Sequence, residues 1–389
     1  MTTGLDADQL IRAAEKETGL SDWGGDEFLV PFHTLVDAIN REARLNPLGA
    51  RRSRTWLQAR LCQRLRVFED RKRDPRIAGQ KIERPVFITG LPRAGTTYTH
   101  ALLASDPANI GPLLWQWYRT SPPPNLPGLD HEKTIREIDA FMEDQGWKSP
   151  EMLAQHDHHA QAPEECSFGF ELSFVNLNFT GYWNIPGYAA MLPDHWAESY
   201  RMHRKLLQAM QLGAEGRRWI LKAPEHITHI DFLFAEYPDA VIVQNHRDPS
   251  RVMASVLSVI ATMQRLYSDS VQKIDRAYGL YFMQMYAGAL SHAISLRKQP
   301  AMAARFVDVH YLELERDPVA VMRNIYAHAG MPFTDAALTS ITHWVATNRQ
   351  GKHGKHRYSL ADYGLTQKDV WDAFEEYLVV FDIEREPVS

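Results

Sequence analysis

The sequence is poor in the features that mark secreted and membrane-spanning proteins. Its only two cysteines, Cys62 and Cys166, are far apart and match no metal-ligand spacing. They build no disulfide framework, so a reducing compartment is expected. No window approaches the roughly eighteen apolar residues that a transmembrane helix needs, and the N-terminus lacks a basic stretch followed by an apolar one. A cytoplasmic protein is predicted, with peripheral membrane contact left open.

The sequence also lacks an excess of basic residues. Its formal net charge is −5, which argues against non-specific binding of nucleic acid. Any anionic ligand must therefore be held by a few well-placed cations and by backbone N–H groups. No Gly/Ser linker, internal repeat or low-complexity tract marks a boundary. The sequence predicts one domain over 1–389, with a helical extension over 1–80 and an α/β core over 84–389, and it indicates no oligomeric state.

The first eighty residues have the apolar spacing of helices. This spacing predicts helices from Ala7 to Lys16, from Phe28 to Leu45 and from Thr55 to Asp70. Basic residues are dense between Arg51 and Arg76. The simplest interpretation of these charges is a solvated helix face.

Beyond residue 84, short apolar strands alternate with helical patterns. Strands are predicted from Pro85 to Thr89, from Arg218 onward, from Ala240 to Asn245 and from Arg305 to Tyr311. This alternation is typical of a P-loop-like parallel sheet flanked by helices on both faces. Ligands of such sheets bind at the carboxyl ends of the strands.

The loop after the first predicted strand, Gly90-Leu91-Pro92-Arg93-Ala94-Gly95-Thr96-Thr97, is the most informative segment. Its glycines allow a close backbone approach, and successive N–H groups at a helix start bind an oxyanion. The spacing is close to that of an ATP-binding P-loop, but Thr96 stands where that motif has Lys, and the cation is Arg93 instead. Asp308 lies inside its strand rather than at its end, so the usual second metal-holding motif is missing. The loop therefore predicts an anionic ligand that is bound without a metal ion.

Three segments together resemble the PAPS-dependent sulfotransferases, which use 3′-phosphoadenosine 5′-phosphosulfate (PAPS). The loop FITGLPRAGTT resembles the 5′-phosphosulfate loop of the bacterial branch that carries Arg. VQNHRDPSRVMASVLS resembles the segment that holds the 3′-phosphate, and Tyr311 begins a Y-x-x-L-x-x-D-P element. The resemblance spans nearly the whole chain. It implies an enzyme that moves a sulfuryl group from PAPS to a hydroxyl and releases 3′,5′-adenosine bisphosphate, without a metal.

The resemblance also implies which residues bind the donor. The loop residues Arg93, Ala94, Gly95, Thr96 and Thr97 would hold the 5′-phosphosulfate. Arg247 and Ser255 would hold the 3′-phosphate, although Arg247 next to Asp248 also fits a helix-capping ion pair and Ser255 fits a small packing residue. Family members close a basic loop over the nucleotide, which here corresponds loosely to Lys352, Lys355 and Arg357. A solvated surface loop is the alternative for these three.

Sulfuryl transfer needs cations near the departing oxygen and a base for the acceptor hydroxyl. Arg93 and Lys222 are the candidate cations. Lys222 is chosen because it ends the strand WILK, and the alternative for this residue is an ordinary surface lysine. Several branches of the family place a catalytic Glu where this chain has Gln116, which cannot accept a proton. A further branch uses a His, so His158 or His159, with Glu165 next, are the candidate bases. The H-x-H-H run also has metal-site character, but third and fourth ligands are not evident and no metal is predicted.

Aromatic residues are dense between Phe168 and Tyr188, which suits either a hydrophobic pocket or a packed core. We therefore expect a small-molecule or lipid-like hydroxyl acceptor. Two other functions stay open at this point. One is a P-loop kinase or NTPase; the other is a nucleotide-binding module that has lost its base, for which Gln116 is the supporting feature.

Overall fold

A computed structural model of the chain describes residues 4–155, 159–269, 274–348 and 359–386. The chain divides into two compact units. The first comprises Met1–Ile82, Pro112–Gly216 and Ile260–Gln272, and the second comprises Glu83–Gly111, Arg217–Val259 and Lys273–Ser389. The single domain over 1–389 stays a prediction.

The second unit is built on a five-stranded sheet in which every paired strand is parallel to its neighbour. The strand order is β2-β3-β1-β4-β5. The strands are β1 (Val86–Gly90), β2 (Asn109–Ile110), β3 (Arg218–Lys222), β4 (Val241–His246) and β5 (Phe306–His310). The parallel sheet predicted from the sequence is confirmed. The two-residue edge strand β2 is too short to leave a periodic signal and was not predicted.

Both faces of the sheet are covered by side chains from neighbouring helices. On one face, Ile88 and Val243 pack with Leu102 and Leu103. On the other face, the ring of Phe87 lies 5.1 Å from that of Tyr237. Strands buried on both sides carry continuous apolar runs, which explains the sequence of β1 and β4.

The helices of the second unit connect or flank these strands. Its α-helices are Thr96–Ala104, Ile230–Glu236, Pro249–Arg265 (up to Val259), Arg276–Leu296, Pro300–Ala303, Tyr311–Arg316, Pro318–Ala329, Asp335–Thr347, Gln367–Ala373 and Glu375–Val380. Pro224–His229 and Leu360–Tyr363 are 3₁₀-helices. The segment between β3 and β4 thus starts as a 3₁₀ turn and continues as a short α-helix.

The regular elements among the described residues of the first unit are helices. Its α-helices are Ala7–Thr18, Leu29–Glu42, Pro47–Arg73, Pro75–Gly79, Leu114–Tyr118, His131–Asp144, Pro150–Gln155, Ser167–Phe170, Asn178–Tyr182, Pro186–Ala189 and Trp196–Gln211. Glu171–Ser173 and Leu192–Asp194 are 3₁₀-helices. Across the part of the chain that the structure describes, no helix is both long and apolar enough to span a membrane.

The long helix Pro47–Arg73 corrects one expectation from the sequence. Its basic residues do not form a purely solvated face, because the side chains of Arg60 and Arg64 are fully buried. The Arg60 guanidinium lies 3.8 Å from the ring centre of Tyr118 and 3.8 Å from the Glu171 carboxylate. Burial raises the pKa of the Glu171 carboxyl to about 8, against the opposing charge of Arg60. Charges of this kind cannot be distinguished from surface charges by helical periodicity alone.

We expect Arg60→Ala to lower the free energy of unfolding of the first unit by about 3 kcal/mol, because it removes a fully buried side chain that packs against the ring of Tyr118. Urea denaturation followed by tryptophan fluorescence measures this loss. Arg54→Ala, an exposed position on the same helix, is the matched control and should change stability by less than about 0.5 kcal/mol. Equal effects of the two substitutions would contradict a stabilising role of the buried Arg60 side chain.

The aromatic segment between Phe168 and Tyr188 is packed inside the first unit. Phe170, Phe179 and Trp183 are each at most 2% exposed. The indole of Trp183 donates to Ser53 Oγ at 2.9 Å and its ring lies 5.6 Å from that of Phe179. These contacts assign the segment to the core, which was the second of the two interpretations of its composition.

Candidate nucleotide and sulfuryl-transfer site

The loop that follows β1 has a backbone that requires its glycines. Gly90 has φ 132°, and a Cβ at this position would lie 2.3 Å from the carbonyl oxygen of Asn245. Gly95 has φ 87° and directly precedes the helix Thr96–Ala104. Arg93 also has a positive φ, 67°, which is uncommon for a residue with a side chain. The loop is therefore held in one compact conformation at the carboxyl end of the central strand.

The helix that begins at Thr96 presents its N-terminus at this loop. Among the described residues no side chain caps it, and its first intrahelical bond runs from Thr99 N to Gly95 O at 3.0 Å. The amides of Thr96 and Thr97 therefore lie in the first turn, where the helix has no carbonyl to accept from them. The N–H of Ala94 donates to Leu91 O at 3.2 Å and shapes the loop. Such a turn favours an oxyanion.

Lys222 lies at the carboxyl end of β3, beside the loop. It is paired in register with Ile88 of β1, and its side chain is 0% exposed. Its ammonium group donates to Thr97 Oγ1 at 3.4 Å. This geometry excludes the alternative of a surface lysine and places a buried cation next to the helix N-terminus.

Asn245, which was not predicted as a site residue, fixes the loop to the sheet. It is 1% exposed, and its amide nitrogen donates to Thr99 Oγ1 at 2.9 Å and to Ala94 O at 3.4 Å. The position was visible in the sequence as the last polar residue before HRDP. Only the pairing of β4 with β1 shows that it contacts this loop.

Arg247 follows β4 and lies next to Arg93. Its Nη1 donates to the carbonyl oxygen of Arg93 at 3.2 Å, and its guanidinium stacks 3.7 Å above the ring of Tyr311. Nε and Nη2 donate to the two carboxylate oxygens of Glu386 at 2.8 and 3.0 Å. Burial alone would lower the pKa of Arg247, but hydrogen bonding to Glu386 reverses this and raises it.

The carboxylate paired with Arg247 is thus Glu386 and not its neighbour Asp248. Asp248 Oδ1 accepts from the N–H of Ser250 at 2.8 Å and so fixes the turn into the following helix. Ser255 Oγ accepts from Arg93 Nε at 3.2 Å. The structure therefore brings together Arg93, Arg247 and Ser255, the three side chains that the sequence assigned to the two ends of the donor.

A second layer of polar contacts positions Arg247. Its backbone N–H donates to the hydroxyl of Tyr377 at 3.2 Å, and the same hydroxyl lies 3.3 Å from His246 Nδ1. His246 Nε2 is 2.8 Å from Asp308 Oδ1. Burial lowers the pKa of His246, so a neutral ring joins β4 and β5 at their carboxyl ends. Asp308, whose position inside its strand did not fit the metal-holding motif, is the carboxylate partner of His246 in this network.

The candidate bases belong to the first unit. His159 is exposed and Glu165 is half-buried, with Glu165 Oε2 accepting from Ser167 Oγ at 3.4 Å. His158 lies outside the described residues. So do the three candidates of the basic loop, Lys352, Lys355 and Arg357.

Gln116 has a structural task. Its side-chain oxygen accepts from the N–H of Leu113 at 2.9 Å, and its carbonyl oxygen accepts from the hydroxyl of Thr120 at 2.7 Å. It therefore caps the short helix Leu114–Tyr118. This use of the amide gives a reason for a Gln at this position other than loss of catalysis.

Comparison with known proteins now identifies the family. The sequence profile described as "Sulfotransferase family" matches residues 85–335, which is more than half of the chain. The chain belongs to the sulfotransferase family. The match includes the loop after β1, Lys222, Arg247 and Tyr311. The protein is accordingly an enzyme of the sulfotransferase class, as the sequence predicted.

Solved structures of sulfotransferases have the same fold. Sulfotransferase STF1 from Mycobacterium tuberculosis H37Rv is 31% identical, with a TM-score of 0.81 over 97% of this chain and 100% of that one. Sulfotransferase STF9 from Mycobacterium avium is 27% identical, with a TM-score of 0.84 over the full length of both chains. Among curated proteins, the omega-hydroxy-beta-dihydromenaquinone-9 sulfotransferase Stf3 of M. tuberculosis is 21% identical over 75% of this chain and 74% of its own length.

Proposed function

We propose that this sulfotransferase takes its sulfuryl group from PAPS and transfers it to a hydroxyl of a hydrophobic, lipid-like acceptor. The observation that carries the donor assignment is the pair of cationic positions at one edge of the sheet. Lys222 lies beside the helix N-terminus at Thr97, and Arg247 lies beyond Arg93 at the end of β4. A donor with anionic groups at both its 5′ and 3′ ends suits two such positions.

Each residue near the first position has a distinct task in the proposed reaction. The amides of Thr96 and Thr97 bind the 5′-phosphate and orient it. The ammonium of Lys222 stabilises the negative charge that grows on the bridging oxygen as the sulfur–oxygen bond breaks. Lys222 is buried among protein groups rather than in water, so its interaction with that oxygen is weakly screened. Arg93 supplies the second cation from the loop.

The acceptor hydroxyl needs a base. His158, His159 and Glu165 remain the candidates, and the third of them is held beside Ser167 at the start of a helix. His is suited by an ordinary pKa near neutrality, and Glu by burial next to an acceptor. We also propose that the transfer proceeds without a metal ion.

The acceptor class is supported by one relative. The Stf3 protein of M. tuberculosis carries the name of a hydroxylated dihydromenaquinone, and this chain spans 74% of its length. Human carbohydrate sulfotransferase 3 is also similar, at 28% identity, but only over 39% of this chain and 32% of its own length. The longer match favours a lipid-like acceptor over a carbohydrate.

The donor is tested by calorimetric titration of the purified protein with 3′,5′-adenosine bisphosphate, 5′-AMP and ATP. Each titration is made once in EDTA and once with Mg²⁺. Micromolar binding of the bisphosphate in EDTA, with AMP at least about tenfold weaker, supports PAPS as the donor. Binding of ATP alone and only with Mg²⁺ would instead support a P-loop NTPase. The acceptor is then tested by transfer of label from [³⁵S]PAPS to a long-chain isoprenoid alcohol in detergent, with a soluble oligosaccharide as the comparison.

A further inference from the structure

A carboxylate of the chain itself occupies the fork of Arg247. Glu386 accepts from Nε at 2.8 Å and from Nη2 at 3.0 Å, and its second oxygen lies 3.9 Å from Nε of Arg251. The Glu386 side chain is 12% exposed and that of Arg247 is 20% exposed. The contact is therefore a bidentate, partly desolvated ion pair, which is stronger than an ordinary surface pair.

The position of Glu386 is fixed through its backbone. Its N–H donates to Asp248 Oδ2 at 2.9 Å, and the other oxygen of Asp248 accepts from the indole of Trp371 at 3.2 Å. The guanidinium of the preceding residue, Arg385, stacks 4.4 Å above the Trp371 ring. These contacts hold the segment 383–386 across the start of the helix that follows Arg247.

A carboxylate and a phosphate bind an arginine guanidinium through the same pair of hydrogen bonds. Each places two oxygens against two parallel N–H groups, so the Nε/Nη2 edge accommodates one such anion at a time. With Glu386 in place, this edge of Arg247 is occupied by a carboxylate. Without Glu386 the same edge can take a phosphate.

We propose that Glu386 is an internal anion of the donor site, which the 3′-phosphate must displace from Arg247. The inference rests on the proposed function, since it takes the 3′-phosphate of PAPS as the competing ligand. The segment 383–386 then sets how tightly the donor and its bisphosphate product are held. A nucleotide without a 3′-phosphate leaves Glu386 in place and gains nothing from its removal.

The test compares the affinities of 3′,5′-adenosine bisphosphate and 5′-AMP in the full-length protein. Glu386→Gln keeps the size of the side chain and one acceptor oxygen but removes the charge. We expect it to bind the bisphosphate about tenfold more tightly than the original protein, with AMP affinity unchanged. Glu384→Gln removes the same charge from an exposed position two residues away and should leave both affinities unchanged.

A second variant covers the opposite hypothesis, in which Glu386 orients Arg247 for the phosphate. In that case Glu386→Ala weakens bisphosphate binding and Glu386→Gln restores part of it, which would overturn the inference and leave the proposed function standing. Unchanged bisphosphate affinity in both variants would overturn it equally. If the original protein does not prefer the bisphosphate to AMP, the proposed donor itself is wrong and the inference fails with it. Tightening in both variants supports competition.

Discussion

We expect Lys222→Met to lower kcat by about 10²- to 10³-fold while the affinity for 3′,5′-adenosine bisphosphate changes by less than about threefold. Methionine fills nearly the same volume, so the buried site stays packed, but it carries no charge for the departing oxygen. The ammonium lies next to Thr97 at the start of the helix Thr96–Ala104, in a position that the sheet fixes. Single-turnover transfer from [³⁵S]PAPS measures the chemical step directly.

The matched control for this prediction is Lys298→Met, which removes the charge of an exposed lysine in the same unit. It should leave kcat unchanged. The chemistry assigned to Lys222 would be wrong if Lys222→Met kept full turnover. It would also be wrong if kcat fell only in proportion to a loss of folded protein, which thermal unfolding of each variant monitors.

Arg247→Ala should weaken the binding of 3′,5′-adenosine bisphosphate by about 100-fold and leave that of 5′-AMP nearly unchanged. The backbone N–H of Arg247 donates to Tyr377 at the end of β4 and its guanidinium is stacked on Tyr311, so the substitution removes the proposed contact to the 3′-phosphate. A charge-assisted bidentate contact is worth about 1.5–3 kcal/mol, and a factor of ten in affinity corresponds to about 1.4 kcal/mol. Calorimetry with both nucleotides measures the selectivity.

Two further variants separate charge from geometry. Arg247→Lys keeps the charge but not the planar fork, and should recover only a small part of the lost affinity. Arg316→Ala removes an exposed arginine from the same unit and should have no effect. Equal weakening of AMP and bisphosphate in Arg247→Ala would show that Arg247 supports the fold of the site and not the 3′-phosphate in particular.

Helices and strands were predicted well from the sequence where the residues that determine them lie within the element itself or at its ends. The helix Pro318–Ala329 is an example of local control, because Asp317 accepts from Ala320 N at its start and Gly330 ends it in the left-handed region. The four longer strands of the sheet begin within one residue of their predicted starts, because strands buried on both faces must be apolar throughout. The first unit was harder, since many of its helices are only four to six residues long and give no clear period.

The sequence by itself determined the family, the parallel sheet and the order of the motifs along the chain, because each depends on residues that are neighbours in sequence. Only the tertiary structure decided which polar groups meet. The burial of Lys222 depends on the pairing of β3 with β1, and the link between Asn245 and the loop after β1 depends on β4. The partner of Arg247 comes from more than a hundred residues further along the chain. Charged side chains look alike in a sequence whether they are solvated or buried. Their surroundings are set by contacts between distant segments, and those contacts exist only once the chain has folded.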